Sequence, residues 1–114
     1  MAITGAHMLV YSPEAEAVRT LLRDELGWEH VDAGDGWLIF TLPPAELGIH
    51  PSESAGHELT FICDNLTDTV RELEAKGVAF KDAPHDEGWG IVTTMVLPGN
   101  LEVLLYEPRH PTAI

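Results

Sequence analysis

Apolar residues recur at helical spacing in two places along the chain. Val18, Leu21, Leu22 and Leu26 fall three and four residues apart, the spacing that gathers side chains on one face of a helix. The segment opens at Ser12-Pro13, a capping hydroxyl followed by proline at the first helical position. Glu14 and Glu16 stand near the positive end of its dipole, and Gly27 ends it. A second helix is predicted from Asn65, with Leu66, Val70 and Leu73 on one face, Asp68 in its first turn, Lys76 in its last and a stop at Gly77. Both are amphipathic helices of the kind that cover a sheet.

The rest of the pattern reads as strands, over about 4–11, 28–33, 36–42 and 45–50, then 57–63, 78–82, 89–97 and 101–107. Asp35-Gly36 and Pro98-Gly99-Asn100 are turn signals between neighbouring strands. The order is strand, helix, three strands, and then the same again. Runs of short strands after each helix predict an α+β design with antiparallel or mixed pairing, not a doubly wound sheet.

An internal repeat supports that division. A shift of 50 places His7 on His57, Leu9 on Leu59, Tyr11 on Phe61 and Gly27 on Gly77, and Gly36-Trp37-Leu38-Ile39 resembles Gly88-Trp89-Gly90-Ile91 at a shift of 52. Each half is too short to bury its own apolar face comfortably, and two copies closing on one another solve the problem. The expected organisation is one domain over 1–114, with a first βαβββ module at 1–51 and a second at 56–114. The polar join between them is Pro51-Ser52-Glu53-Ser54-Ala55-Gly56.

Charge narrows the partners. The 114 residues hold 19 Asp and Glu against 6 Lys and Arg, a net charge of -13 at pH 7. Such a surface repels phosphate backbones and anionic membranes, so neither nucleic acid nor membrane is expected as a partner. A cationic ligand would benefit from the same field. Hydrophobic residues make up 45% of the chain, a globular composition. The lone Cys63, in the apolar run Leu59 to Cys63, forms no internal disulfide and reads as a buried structural thiol. The amino terminus lacks the basic and apolar regions of a signal peptide, and the expected location is cytoplasmic. Serines fall at Ser12, Ser52 and Ser54, in a cap and a linker, so no nucleophilic triad is visible.

The tandem βαβββ plan, the segments Gly5-Ala6-His7-Met8-Leu9-Val10-Tyr11-Ser12 and Arg23-Asp24-Glu25-Leu26-Gly27, and the opening Phe61-Ile62-Cys63-Asp64-Asn65-Leu66 resemble the vicinal oxygen chelate superfamily. This is the group of glyoxalase I, extradiol dioxygenases, fosfomycin-resistance enzymes and bleomycin-binding proteins. The resemblance covers essentially the whole chain. It implies a curved mixed sheet with an internal cleft, a homodimer, and in metal-using members one divalent cation held by the first and last strands of each module. Zn, Ni, Mn or Fe(II) would suit His and carboxylate ligands, with open positions for two neighbouring substrate oxygens.

Carried over residue by residue, the pattern puts His7 at the first metal position, 20 residues before Gly27. On the fifth strand the internal repeat favours His57, whereas alignment through Phe61 to Asn65 favours Glu58. Neighbours on a strand point to opposite faces, so only one can serve, and the more apolar face of Leu59, Phe61 and Cys63 leaves Glu58 toward the cleft. On the fourth strand Glu46 and His50 share a parity, and His50 is preferred because imidazole is the commoner ligand. On the last strand the family's glutamate position is Leu104. Glu102 lies two residues earlier on the same face, about 6–7 Å along the strand. The resulting metal set is His7, His50, Glu58 and Glu102, with Glu102 also the candidate catalytic carboxylate. Tyr11, Trp37, Trp89 and Tyr106 are the candidate substrate-binding residues around the cleft.

Two functions follow from the resemblance. One is a glyoxalase-like enzyme with metal-assisted lyase, isomerase or dioxygenase chemistry on a small organic molecule. The other is a metal-free dimer of the bleomycin-resistance type that binds and sequesters a drug or metabolite. Leu104 in place of the glutamate favours the second, while the whole-chain resemblance keeps the glyoxalase-like reading first and the binding module as its alternative.

Overall fold

The computed structural model describes residues 6–114. The second half of the sequence builds the main sheet. Its strands are β3 (Thr60–Ile62), β4 (Ala79–Phe80), β5 (His85–Asp86), β6 (Gly90–Leu97) and β7 (Leu101–Pro108), in the order β3-β7-β6-β4, with β5 also paired to β6. The β3–β7 pair is parallel and the other pairs are antiparallel, so the sheet is mixed. The fold is the expected α+β with a curved mixed sheet. In the first half, β1 (His30–Asp32) and β2 (Leu38–Phe40) form a separate two-stranded hairpin.

Each predicted turn has its chemistry in place. The Asp32 carboxylate accepts hydrogen bonds from the amides of Gly34 and Gly36 at 2.7 and 3.2 Å, closing the β1–β2 hairpin. Between β6 and β7, Gly99 and Asn100 both take left-handed backbone, φ 79° and 59°.

Helix α2 (Leu66–Ala75) starts as predicted, with the Asn65 side chain accepting from the amide of Asp68 at 3.0 Å. Glu107 adds a carboxylate from the sheet, accepting from the amide of Leu66 at 3.0 Å. The helix closes in a Schellman motif. Gly77 at φ 92° donates to Glu74 O, and Val78 donates to Leu73 O, both at 3.0 Å. Helix α1 (Ala15–Thr20) runs into a π-helical turn over Leu21–Glu25, where the amide of Leu26 reaches Leu21 O at 3.0 Å. Ser12 accepts from the amide of Glu14 at 3.0 Å and donates to Pro98 O at 2.8 Å, which ties the start of α1 to the β6–β7 turn.

The core sits between the helices and one face of the sheet. Val18 of α1, Leu66 of α2, and Val78, Met95, Leu97, Val103 and Leu105 are its buried centre. Leu59, Phe61 and Cys63 pack against it from β3 and its flanks. Odd-numbered residues of β6 and β7 therefore meet the helices, and Glu102, Leu104 and Tyr106 face away.

The two halves of the chain are unequally built. Of the strands predicted over 4–11 and 45–50, the described residues 6–11 and 45–50 are not paired. Residues 6–11 and 41–59 carry no regular structure, and 4 and 5 lie outside the described residues. The reasons differ. Pro43, Pro44 and Pro51 remove backbone donors around 45–50, and Gly48 interrupts it. Residues 6–11 have suitable side chains, but no described strand pairs with them. His85–Asp86, which lies outside the predicted strands, forms a short strand against β6.

Candidate functional site

Helix α1 builds one wall of a cavity of about 420 Å³. Ala15, Val18, Arg19 and Leu22 project into it at i, i+3, i+4 and i+7. The β1–β2 hairpin and its exit supply a second wall, with Trp37, Ile39 and Phe40 among its residues. The floor comes from Leu59, Phe61, Leu97, Leu101 and Val103 on the helix side of the main sheet. Residues 6–10, His7 among them, border the remaining side. Trp28 stacks edge-on against Phe61 with ring centres 5.6 Å apart, which joins the first half to β3 beside the cavity.

Polar groups at this site are few. The Arg19 guanidinium lies over the Trp37 ring, 4.8 Å from its centre, and donates to Glu16 at 3.3 Å. Glu16 is on the outer surface, with its side chain 73% exposed, against 21% for Arg19. His7 is the other titratable lining residue, and none of the lining residues is acidic.

The candidate metal ligands stand in different places. His7 borders the cavity. Val103 faces the same space, so Glu102 next to it points to the opposite side of β7. There Glu102 accepts from Lys81 Nζ at 3.1 Å. Leu104 is level with Thr60 on the parallel neighbour strand. Glu58, His57 and His50 are exposed in the irregular segment 41–59. Glu46, the alternative to His50, accepts from the amide of Ala113 at 2.6 Å. Among the described residues, no three His, Cys, Asp or Glu side chains are gathered where they could hold a metal ion. The donors as arranged do not fit the family's cation.

The four candidate aromatic residues also separate. Trp37 lines the cavity, while Tyr11 is 81% exposed. Trp89 stacks edge-on against Tyr106 on the other face of the sheet, with ring centres 5.1 Å apart. The Tyr106 hydroxyl lies 3.2 Å from His110 Nε2 of the C-terminal tail. Burial pushes the Tyr106 phenol up, and the charge of Glu46 adds to the effect.

Arg19 and Trp28 were not singled out in the sequence. A signal for Arg19 was there, since it occupies the i+4 position on the inner face marked by Ala15, Val18 and Leu22. A basic residue on an apolar face has a partner to find.

A mostly apolar cavity with a few polar side chains, walled by a helix, a hairpin and a curved mixed sheet, is the kind of space in which proteins in general bind small organic molecules. Residues 5–108 match the family model of the Glyoxalase/Bleomycin resistance protein/Dioxygenase superfamily, and the chain belongs to that superfamily. Among solved structures it is similar to TnmS3, an antibiotic binding protein from Streptomyces sp. CB03234. The two are 21% identical, with 95% of this chain and 98% of that one covered and a TM-score of 0.67. It is also similar to lactoylglutathione lyase from Agrobacterium tumefaciens, at 16% identity, 94% and 96% coverage and a TM-score of 0.63. The fosfomycin resistance protein FosX from Listeria monocytogenes matches at 14% identity, 98% and 96% coverage and a TM-score of 0.55. Among curated proteins no sequence match was found. At these identities the likeness is one of fold.

Proposed function

We propose that this protein binds a small organic molecule in the cavity between α1, the β1–β2 hairpin and the main sheet, and holds it without transforming it. The observation that carries this reading is the cavity itself. Its volume is about 420 Å³, its walls are mostly apolar and aromatic, and among the described residues its polar side chains are Arg19, His7, Ser12, Thr41 and the two indoles. The likeness to an antibiotic binding protein supports it. Trp37 and Trp28 are the ligand-contacting aromatics in this reading. The -13 charge argues against nucleic-acid and anionic-membrane partners, and among the described residues no helix is long and apolar enough to cross a bilayer. The single thiol suits a reducing compartment, and we place the protein in the cytosol.

Tryptophan fluorescence tests the reading. Trp28 and Trp37 line the cavity and Trp89 does not, so a bound aromatic molecule should quench emission in both proteins, by a larger fraction in Trp89→Phe than in the wild type. No change with any member of a panel of aromatic and amphipathic molecules would end the proposal.

The second reading is enzymatic, favoured by a family that includes lactoylglutathione lyases. It requires His7, His50, Glu58 and Glu102 to converge, with Glu102 released from Lys81. Titration of the protein with Ni, Zn, Mn and Fe(II) separates the two. The binding reading expects no stoichiometric uptake, and one tight equivalent lost in Glu102→Gln and His7→Ala would establish the metal site that the enzymatic one requires.

A further inference from the structure

Nineteen acidic residues surround this protein, yet none of them lines its cavity. Among the described residues, the titratable groups that do line it are Arg19 and His7, and neither side chain is acidic. The overall field favours a cation at long range, but exposed charges beyond about 8–10 Å are largely screened at ordinary ionic strength. Inside a mostly apolar space the nearest charge decides. A cation entering here would meet a guanidinium and find no carboxylate to replace its lost water.

We propose that the cavity selects an aromatic molecule bearing one anionic group (a carboxylate, sulfonate or phenolate) with the anion on Arg19 and the rings against Trp37. Three observations support the assignment. Arg19 is positioned in advance, since Trp37 lies under its guanidinium at 4.8 Å and its side chain is four-fifths covered. Its present partner Glu16 is a solvated surface carboxylate one helical turn away, making a single 3.3 Å bond. Such an exposed pair contributes little, and the fork of the guanidinium keeps further donors for a ligand oxygen. Finally, Trp28, Phe40 and Phe61 line the same space and offer ring faces and edges to a flat skeleton.

The proposal rests on the cavity being the binding site, and two probes keep the two claims apart. N-phenyl-1-naphthylamine and 8-anilinonaphthalene-1-sulfonate share a ring skeleton and differ by one sulfonate. In fluorescence titrations at pH 7, the sulfonate is expected to bind about tenfold or more tightly than the neutral amine, as a charge-assisted hydrogen bond allows. Arg19→Gln should erase that preference, with the urea midpoint of the variant reporting that it is folded. Arg19→Lys should restore part of the preference. Ala15→Trp, which fills the cavity, should weaken both probes.

Equal affinity for the two probes, or a sulfonate preference that survives Arg19→Gln, would overturn the anion assignment and leave the cavity reading standing. Failure of both probes to bind, or binding unaffected by Ala15→Trp, would remove the cavity reading and the assignment with it.

Discussion

Cys63 shows how one side chain records its surroundings. It is half-buried beside the core, its Sγ lies 3.7 Å from the carbonyl of Tyr106, and burial pushes its thiol up from the ordinary value. The folded state therefore holds the neutral thiol more firmly than the unfolded state does. As pH rises through the ordinary thiol range, the unfolded chain ionises first, so unfolding releases a proton and stability falls. Below that range Cys63 adds no pH dependence. Urea midpoints measured from neutral to alkaline pH should decline more in the wild type than in Cys63→Ala, which removes only this group from the comparison. Identical slopes would show that burial does not control the thiol. The same burial should make the folded protein react with thiol reagents far more slowly than the urea-unfolded chain, as expected of a structural cysteine.

Helix α2 was legible because every signal for it is local. Asn65, the Leu66, Val70 and Leu73 stripe, and Gly77 lie within one short segment, and each does in the structure what its position predicts. Strands β6 and β7 were legible for a similar reason. Their alternation is long, and the Gly99-Asn100 turn pins their register from Leu97↔Leu101 to Gly90↔Pro108. Gly77 tests the local account. At φ 92° a Cβ is strained even though nothing lies within 4 Å of one built there. Gly77→Ala should cost about 1–2 kcal/mol, the penalty of left-handed backbone, read as a lower urea midpoint with the ligand-probe affinities unchanged. A neutral substitution would mean that the Schellman turn is not held. What the sequence did not reveal is non-local. Residues 6–11 and 45–50 carry strand patterns, but a strand needs a neighbour, and which neighbour is available is not written in its own alternation. The cavity was hidden for the same cause. Its walls come from α1, the β1–β2 hairpin and β7, and only their packing places Arg19 against Trp37 while turning Glu102 to the far side.

At the scale of the whole molecule, the chain is more open than its length requires. Its radius of gyration is 15.1 Å, against roughly 13 Å for a compact domain of this size. The openness is concentrated in the first half. Leu47 and Ile49 alternate with Glu46, Gly48 and His50, yet they are 87% and 83% exposed. A strand pattern whose apolar face meets water is a surface waiting for cover. Assembly as a homodimer, with 45–50 of each protomer against its partner, would supply that cover, and we expect the protein to sediment as a dimer. The -13 charge on each protomer opposes the pairing, and that opposition gives the expectation its sign. From about 0.01 M to about 0.15 M salt the screening length falls from about 30 Å to about 8 Å, so the dimer should tighten as salt rises. The double substitution Leu47→Glu and Ile49→Glu should yield monomer at every salt concentration, because it adds charge where apolar area must be buried. A monomer throughout the series in the wild type would end the idea. A dimer that loosens with salt would place the contact on charged residues instead of the 45–50 segment.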